Sequence, residues 1–254
     1  MDSKCYSKIS DQYLDLELKL SEKLMLIDFG PKVNYIYNPL NYAFELHKVY
    51  VEKYCSTPKK IVFLGMNPGP WGMMQNGVPF GDVNSVKEFL NISGNILKPL
   101  REHPSRPVLG LNCKRSEVSG KRFWALASLL GAGEANNFFK NAFVHNYFPL
   151  CFLNETGKNV TPPELKIEAR KAIEMHCDES LSDVLKLFNV DIVIAIGRFA
   201  ENRAKAVIKK FGLQNIEVVT ISHPSPRNPA SNKDWLSKTK QIIMELDLLK
   251  YFCI

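Results

Sequence analysis

Five side chains with usable chemistry stand just beyond apolar runs of this chain: Asn67, Phe80, Asn146, His223 and Arg227. Asn67 lies in Gly65-Met66-Asn67-Pro68-Gly69-Pro70, which follows Ile61-Val62-Phe63-Leu64 without a break. Gly65 and Gly69 permit close backbone approach to a ligand, and Pro68 and Pro70 stiffen the segment between them. Phe80 belongs to Val78-Pro79-Phe80-Gly81 in the same loop region, and Asn146 ends the run Ala142-Phe143-Val144-His145. His223 and Arg227 share the proline-rich stretch Ser222-His223-Pro224-Ser225-Pro226-Arg227-Asn228-Pro229, which follows the run Ile216 to Ile221. Several better-known arrangements are absent. There is no G-x-S-x-G elbow, no H-E-x-x-H, no Walker loop and no G-x-G-x-x-G, and Gly157-Lys158-Asn159 lacks the hydroxyl residue a Walker loop needs.

Two amides, an aromatic face, an imidazole and a guanidinium suit a planar heterocycle that is stacked and read along its edge. An amide presents a donor and an acceptor side by side, which matches the O4 and N3–H edge of uracil. Cytosine reverses that pattern and would leave polar groups unpaired. An asparagine can orient a water but cannot deprotonate it.

The elements that position these residues follow from periodicity. Apolar runs at 60–64, 142–147, 190–196 and 216–221 read as buried strands, separated by amphipathic segments that read as helices. The helices are expected over about 10–28, 41–54, 84–91 and 123–130, then one from Thr161 toward Asp178 and a further one to about Phe188, then from Arg198 to Phe211, and after Asp234. Thr161-Pro162-Pro163-Glu164 has the pattern of a capping box, and Ser10-Asp11 and Ser231 with Asp234 are candidate caps. Residues 98–118, with Pro99, Pro104 and Pro107, read as loop. The pattern predicts an α/β fold: one domain over 10–254, preceded by a tail at 1–9, with a four-stranded parallel sheet flanked by helices on both faces. Polar signals follow the first, second and fourth strands, where an open α/β sheet places its site.

Composition sets wider bounds. The chain has 254 residues and a formal charge of +7, which permits a polyanionic partner without requiring one. Cys5, Cys55, Cys113, Cys151, Cys177 and Cys253 are dispersed with no C-x-x-C, which argues for free thiols in a reducing compartment rather than a metal or iron–sulfur site. Neither a signal core nor a membrane-length apolar run is present, so the chain reads as intracellular. His47, His103 and His176 match no motif, and His145 alternates to the face opposite Asn146 and reads as packing. Trp71, Trp124 and Trp235 read as core or loop anchors.

The segments GMNPGPWGMMQNGVPFGDV, SEVSGKRFW, VHNYFPLCF, the GRF turn and HPSPRNPASNKDW resemble, in order and spacing, the single-strand-selective monofunctional uracil-DNA glycosylases. The resemblance spans roughly residues 11–250 and implies the uracil-DNA glycosylase fold. It implies that Asn67 positions the attacking water and that His223 stabilises charge on uracil O2. Phe80 would stack on the flipped base, Asn146 would read its edge, and Met66 and Gly69 would line the pocket. Pro226, Arg227 and Asn228 would belong to a wedge that enters the DNA, with Arg227 filling the vacated space. The resemblance also implies a nuclear, monomeric enzyme without metal or cofactor. Its partner would be single- or double-stranded DNA carrying uracil or oxidised pyrimidines, including 5-hydroxymethyluracil. Trp71 stands where the family would have Phe, and Lys121 and Asp234 where it would have small residues. Two alternatives stand beside it: a non-catalytic nucleic-acid-binding module of the same fold, which intact Asn67 and His223 argue against, and a small-molecule nucleoside hydrolase, which would not need the Arg227 loop.

Overall fold

A computed structural model describes residues 8–228 and 233–252. The chain runs α1 (Ile9–Met25), β1 (Tyr35–Tyr37), α2 (Pro39–Tyr42), α3 (Phe44–Tyr54), β2 (Ile61–Gly65), α4 (Met73–Asn76), α5 (Val83–Glu88), α6 (Val118–Leu130), α7 (Ala135–Phe139), β3 (Ala142–Asn146), β4 (Cys151–Leu153), β5 (Asn159–Val160), α8 (Ile167–Phe188), β6 (Ile192–Ile196), α9 (Arg198–Lys210), β7 (Glu217–Ile221) and α10 (Trp235–Glu245). The four anticipated strands form one parallel sheet in the order β3-β2-β6-β7. β2, β3 and β6 are buried throughout, as expected for strands covered on both faces. Phe143 packs against Tyr13 of α1, Tyr50 of α3 and Phe188 of α8, whereas Phe63 meets Phe123 of α6 and Phe138 of α7. Helices therefore lie on both faces, and alternation along β3 sends His145 to the α1 face and Asn146 to the α6 face. None of the described helices is long and apolar enough to cross a membrane.

Several boundaries differ from the sequence reading, each for a local reason. α1 begins at Ile9 with Lys8 at the cap position, so Ile9 joins the domain and Ser10 is buried inside the helix. Residues 1–7 lie outside the described residues. The box at Thr161 is present, but it caps only a single 3₁₀ turn, Pro162–Glu164, because Leu165 turns extended and is itself buried. α8 then runs unbroken to Phe188, with no glycine or proline to interrupt it, and Asp178 is no terminus. It is a buried partner of Arg203 on α9, at 2.6 Å. α6 starts at Val118, five residues before the apolar run, because Glu117 caps it. A second, antiparallel sheet in the order β1-β4-β5 has strands of two or three residues, too short to show alternation in the sequence. Cys55, Cys113, Cys151 and Cys177 are buried free thiols.

The α1 face carries a buried polar cluster. His47 contacts Glu17 Oε2 through Nε2 at 2.5 Å and Gly77 O through Nδ1 at 2.8 Å, so both ring nitrogens act as donors and the ring is charged. Tyr13 Oη donates to Glu17 Oε1 at 2.9 Å and therefore accepts from His145 Nδ1 at 2.7 Å. Burial pushes the Glu17 carboxyl up, but the charge and hydrogen bond of His47 outweigh it and hold the group below its ordinary 4.5. Burial pushes His47 down, but Glu17 outweighs it and holds the ring above 6.5. For His145 burial prevails and lowers the pKa, leaving a neutral ring.

Breaking a buried pair by removing one partner typically costs about 3–5 kcal/mol. Glu17→Gln is expected to lose stability on that scale in denaturant unfolding, with a defined pH dependence. The raised His47 contributes fully below 6.5 and loses its contribution as pH rises through its folded pKa. The depressed Glu17 contributes fully above 4.5 and loses its contribution as pH falls through its folded pKa. The wild-type advantage should therefore peak between those two values and shrink toward alkaline pH. A difference that stays constant with pH would mean the pair is not ionised.

Candidate active site

The last residue pair of the β2–β3 ladder is Gly65 and Asn146, side by side at the carboxyl end of the sheet. A Cβ on Gly65 would overlap Asn146 Oδ1 and press within 3.1 Å of Phe80 Cε2. Gly65 therefore makes room for two other site residues, rather than for direct approach of a ligand. Asn146 is 6% exposed, and its Nδ2 donates to Met73 Sδ at 3.2 Å. Sulfur is a weak acceptor, so a carbonyl oxygen entering the cavity would be a better partner for that N–H.

Phe80 is half-buried and has a backbone φ of 52°, a conformation costly for a bulky residue. Its carbonyl accepts from Trp124 Nε1 at 2.9 Å and from Asp82 N at 2.7 Å. Asn76 spans the loop beneath it, accepting from Val78 N and donating to Gly81 O. The ring stacks on Phe123 with centroids 4.8 Å apart and lies 6.4 Å from the ring of His223. One face is thus fixed by the core while the other side meets the cavity.

His223 follows β7. Gly197, at φ 88° after β6, is packed so closely that a Cβ there would sit 3.2 Å from His223 Cβ. Trp235 Nε1 donates to Ser222 O, Arg122 donates to Pro224 O, and Asn228 Nδ2 donates to His223 O. Ser225 N donates to His223 Nδ1 at 3.1 Å. With Nδ1 an acceptor, the neutral ring carries its proton on Nε2. Burial lowers the imidazole pKa below 6.5, which favours that neutral form at physiological pH.

Met66, Asn67, Gly69, Met73, Phe80, Glu117, Ser119, Asn146 and His223 line one cleft, with about 420 Å³ not filled by protein. All six residues expected to be catalytic or pocket-lining are among them. Asn67 Nδ2 donates to Pro68 O at 3.1 Å, so its amide nitrogen holds the loop and its oxygen is the atom suited to accept from a water. Pro226 and Arg227 are exposed, and Asn228 is half-buried. All three lie outside the cleft on the loop that carries His223. Pro229 and the candidate cap Ser231 fall outside the described residues.

The model of the uracil DNA glycosylase superfamily matches residues 52–246. The chain belongs to that superfamily. It is 45% identical over 246 residues to the single-strand selective monofunctional uracil-DNA glycosylase of Rattus norvegicus, covering 96% of this chain and 87% of that protein. The Mus musculus protein of the same name is 44% identical over the same coverage. Among solved structures, the wild-type SMUG2 of Pedobacter heparinus superposes with a TM-score of 0.63 at 19% identity, covering 92% of this chain and 98% of that one. This likeness supports the fold.

Met73, Glu117 and Ser119 are cleft residues that the sequence reading did not single out. Glu117 and Ser119 lie within SEVSGKRFW, where a carboxylate three residues before Gly120 marks a helix cap. Two departures from the family pattern have structural accounts. Asp234 caps α10 at φ 51°, a conformation that suits a small residue. Trp71, in place of Phe, sits beneath the guanidinium groups of Arg106 and Arg115, at 4.9 and 5.2 Å. Trp124 and Trp235 are buried anchors.

Gly65→Ala tests the seat of Asn146. Overpacking of this kind costs about 1–3 kcal/mol, so the variant should fold with a lowered Tm. The side-chain amide resonances of Asn146 should shift strongly. Unchanged resonances and Tm would show that the seat has slack.

Proposed function

We propose that the protein is a monofunctional DNA glycosylase. It draws uracil and C5-modified uracils such as 5-hydroxymethyluracil from single- and double-stranded DNA and hydrolyses the N-glycosidic bond, opening base excision repair. The observation that carries this reading is the convergence in one cleft of an edge-reading amide, a stacking ring and an imidazole bearing Nε2–H. Phe80 stacks on the flipped base, an interaction worth roughly 1–3 kcal/mol per base, which offsets part of the few kcal/mol that flipping costs. Asn146 pairs with O4 and N3–H and disfavours cytosine. As the C1′–N1 bond breaks, its electron pair passes to uracil, and His223 donates toward O2 where negative charge gathers. Water held by Asn67 adds to the sugar cation and releases a proton to solvent, while the uracil anion later gains one. Among the described residues no lysine lines the cleft, which suits hydrolysis rather than covalent capture of the sugar. Gly69 offers only backbone to the cleft, which leaves space for a C5 substituent.

Removing a donor aimed at developing charge costs on the order of 3–4 kcal/mol. His223→Leu should therefore slow single-turnover uracil excision by about 10²–10³-fold without a matching loss of thermal stability. Wild-type protein that leaves a uracil oligonucleotide intact would overturn the proposal, and activity confined to free deoxyuridine would identify a nucleoside hydrolase.

Arg227 projects from a loop braced by Pro224, Pro226 and the Asn228–His223 hydrogen bond, so it is presented with little backbone freedom. A wedge replaces the stacking and volume of an extruded base, a need greater in duplex than in single strands. Arg227→Ala should therefore cost more on duplex uracil than on single-stranded uracil. An equal loss on both, with a shallower salt dependence, would identify a phosphate contact instead.

A further inference from the structure

Glu117 is the one carboxylate among the described residues lining the cleft. It occupies the cap position of α6, where Ser, Thr, Asp and Asn are the usual residues. Its Oε2 accepts from Gly120 N at 2.5 Å, and the hydroxyl and N–H of Ser119 also hydrogen-bond the group. All of these donors are neutral. Among the described residues no lysine, arginine or histidine forms an ion pair with it, and the nearby charge is that of Asp82, also negative. Its other oxygen, Oε1, lies 3.7 Å from where a Cβ on Gly69 would stand, beside the loop that carries Asn67. Burial raises its pKa above the ordinary carboxylate value, and the three hydrogen bonds, which favour the charged form, reduce that rise without cancelling it.

A half-buried carboxylate without a counter-cation is costly, and it persists in a cleft where a cation can be supplied. Hydrolysis at this site generates one. When the base departs with the bonding pair, C1′ and the ring oxygen of the sugar share a positive charge until water adds. Among the described residues Glu117 is the only lining group of opposite sign. We propose that Glu117 is a further catalytic residue, acting as the fixed counter-charge for the sugar cation, with its cap hydrogen bonds holding it in place. This rests on the glycosylase reading. No proton or covalent bond is transferred to Glu117.

Glu117→Gln separates charge from capping, because the amide oxygen can still accept from Gly120 N. Two measurements decide. Single-turnover excision of uracil from single-stranded DNA should fall by about 10–100-fold. Affinities should also be compared for strands carrying a cationic pyrrolidine or a neutral tetrahydrofuran in place of the sugar. The wild type should prefer the pyrrolidine strand, and Glu117→Gln should lose most of that preference while its tetrahydrofuran affinity and Tm stay unchanged. A variant that keeps both rate and preference would leave Glu117 as a cap only. A slowed variant with an intact preference would also overturn the proposal, since the charge would then not act on the cation. A wild type inactive on uracil DNA overturns the glycosylase reading and this inference together; an active one confines any failure to Glu117.

Discussion

The site depends on the absence of one side chain. Gly65 ends β2 beside Asn146, and the volume a Cβ would take is filled by the Asn146 amide and the edge of Phe80. A parallel ladder places neighbouring residues at a fixed spacing, so the amide of β3 has nowhere else to go while both strands remain paired. Strand pairing, amide orientation and ring position are therefore one packing problem. Backbone pairing thereby fixes where the amide stands at the mouth of the cleft.

The other cleft residues are held by the same means. Phe80 keeps an unfavourable backbone conformation because Trp124, Asp82 and Asn76 satisfy the polar groups on either side of it. His223 keeps one tautomer because a backbone N–H occupies Nδ1. Beneath the loop, His47 reaches Gly77 O from the opposite side of the sheet, so the Glu17 cluster also braces the segment that ends at Phe80. Strain at the cleft is thus balanced by buried hydrogen bonds outside it.

Charge is distributed sparingly. The chain carries +7, yet among the described residues the cleft is lined by neutral groups and a single carboxylate, with Arg227 outside it. Positive surface charge favours approach of a polyanionic strand, whereas a cation inside the cleft would oppose a reaction that builds positive charge on the sugar. On the proposed mechanism, long-range attraction and local catalysis call for opposite electrostatics.

Four near-continuous apolar runs and the polar residues after three of them determined the parallel sheet and its active edge, because strand burial and strand-end chemistry are local properties of sequence. That Asn67, Phe80, Asn146 and His223 meet in one cleft was legible for the same reason, and alternation along β3 correctly sent His145 away from Asn146. Tertiary structure alone decided what depends on distant partners. Gly65 reads as room for a ligand until β3 is paired beside it. Asp178 reads as a helix end until Arg203 arrives from α9, and the Thr161 box reads as a long helix until Leu165 is drawn into the core. Glu117 and the Glu17–His47 pair escape a linear reading because their meaning lies in which charges surround them, and only the packed chain brings those charges together.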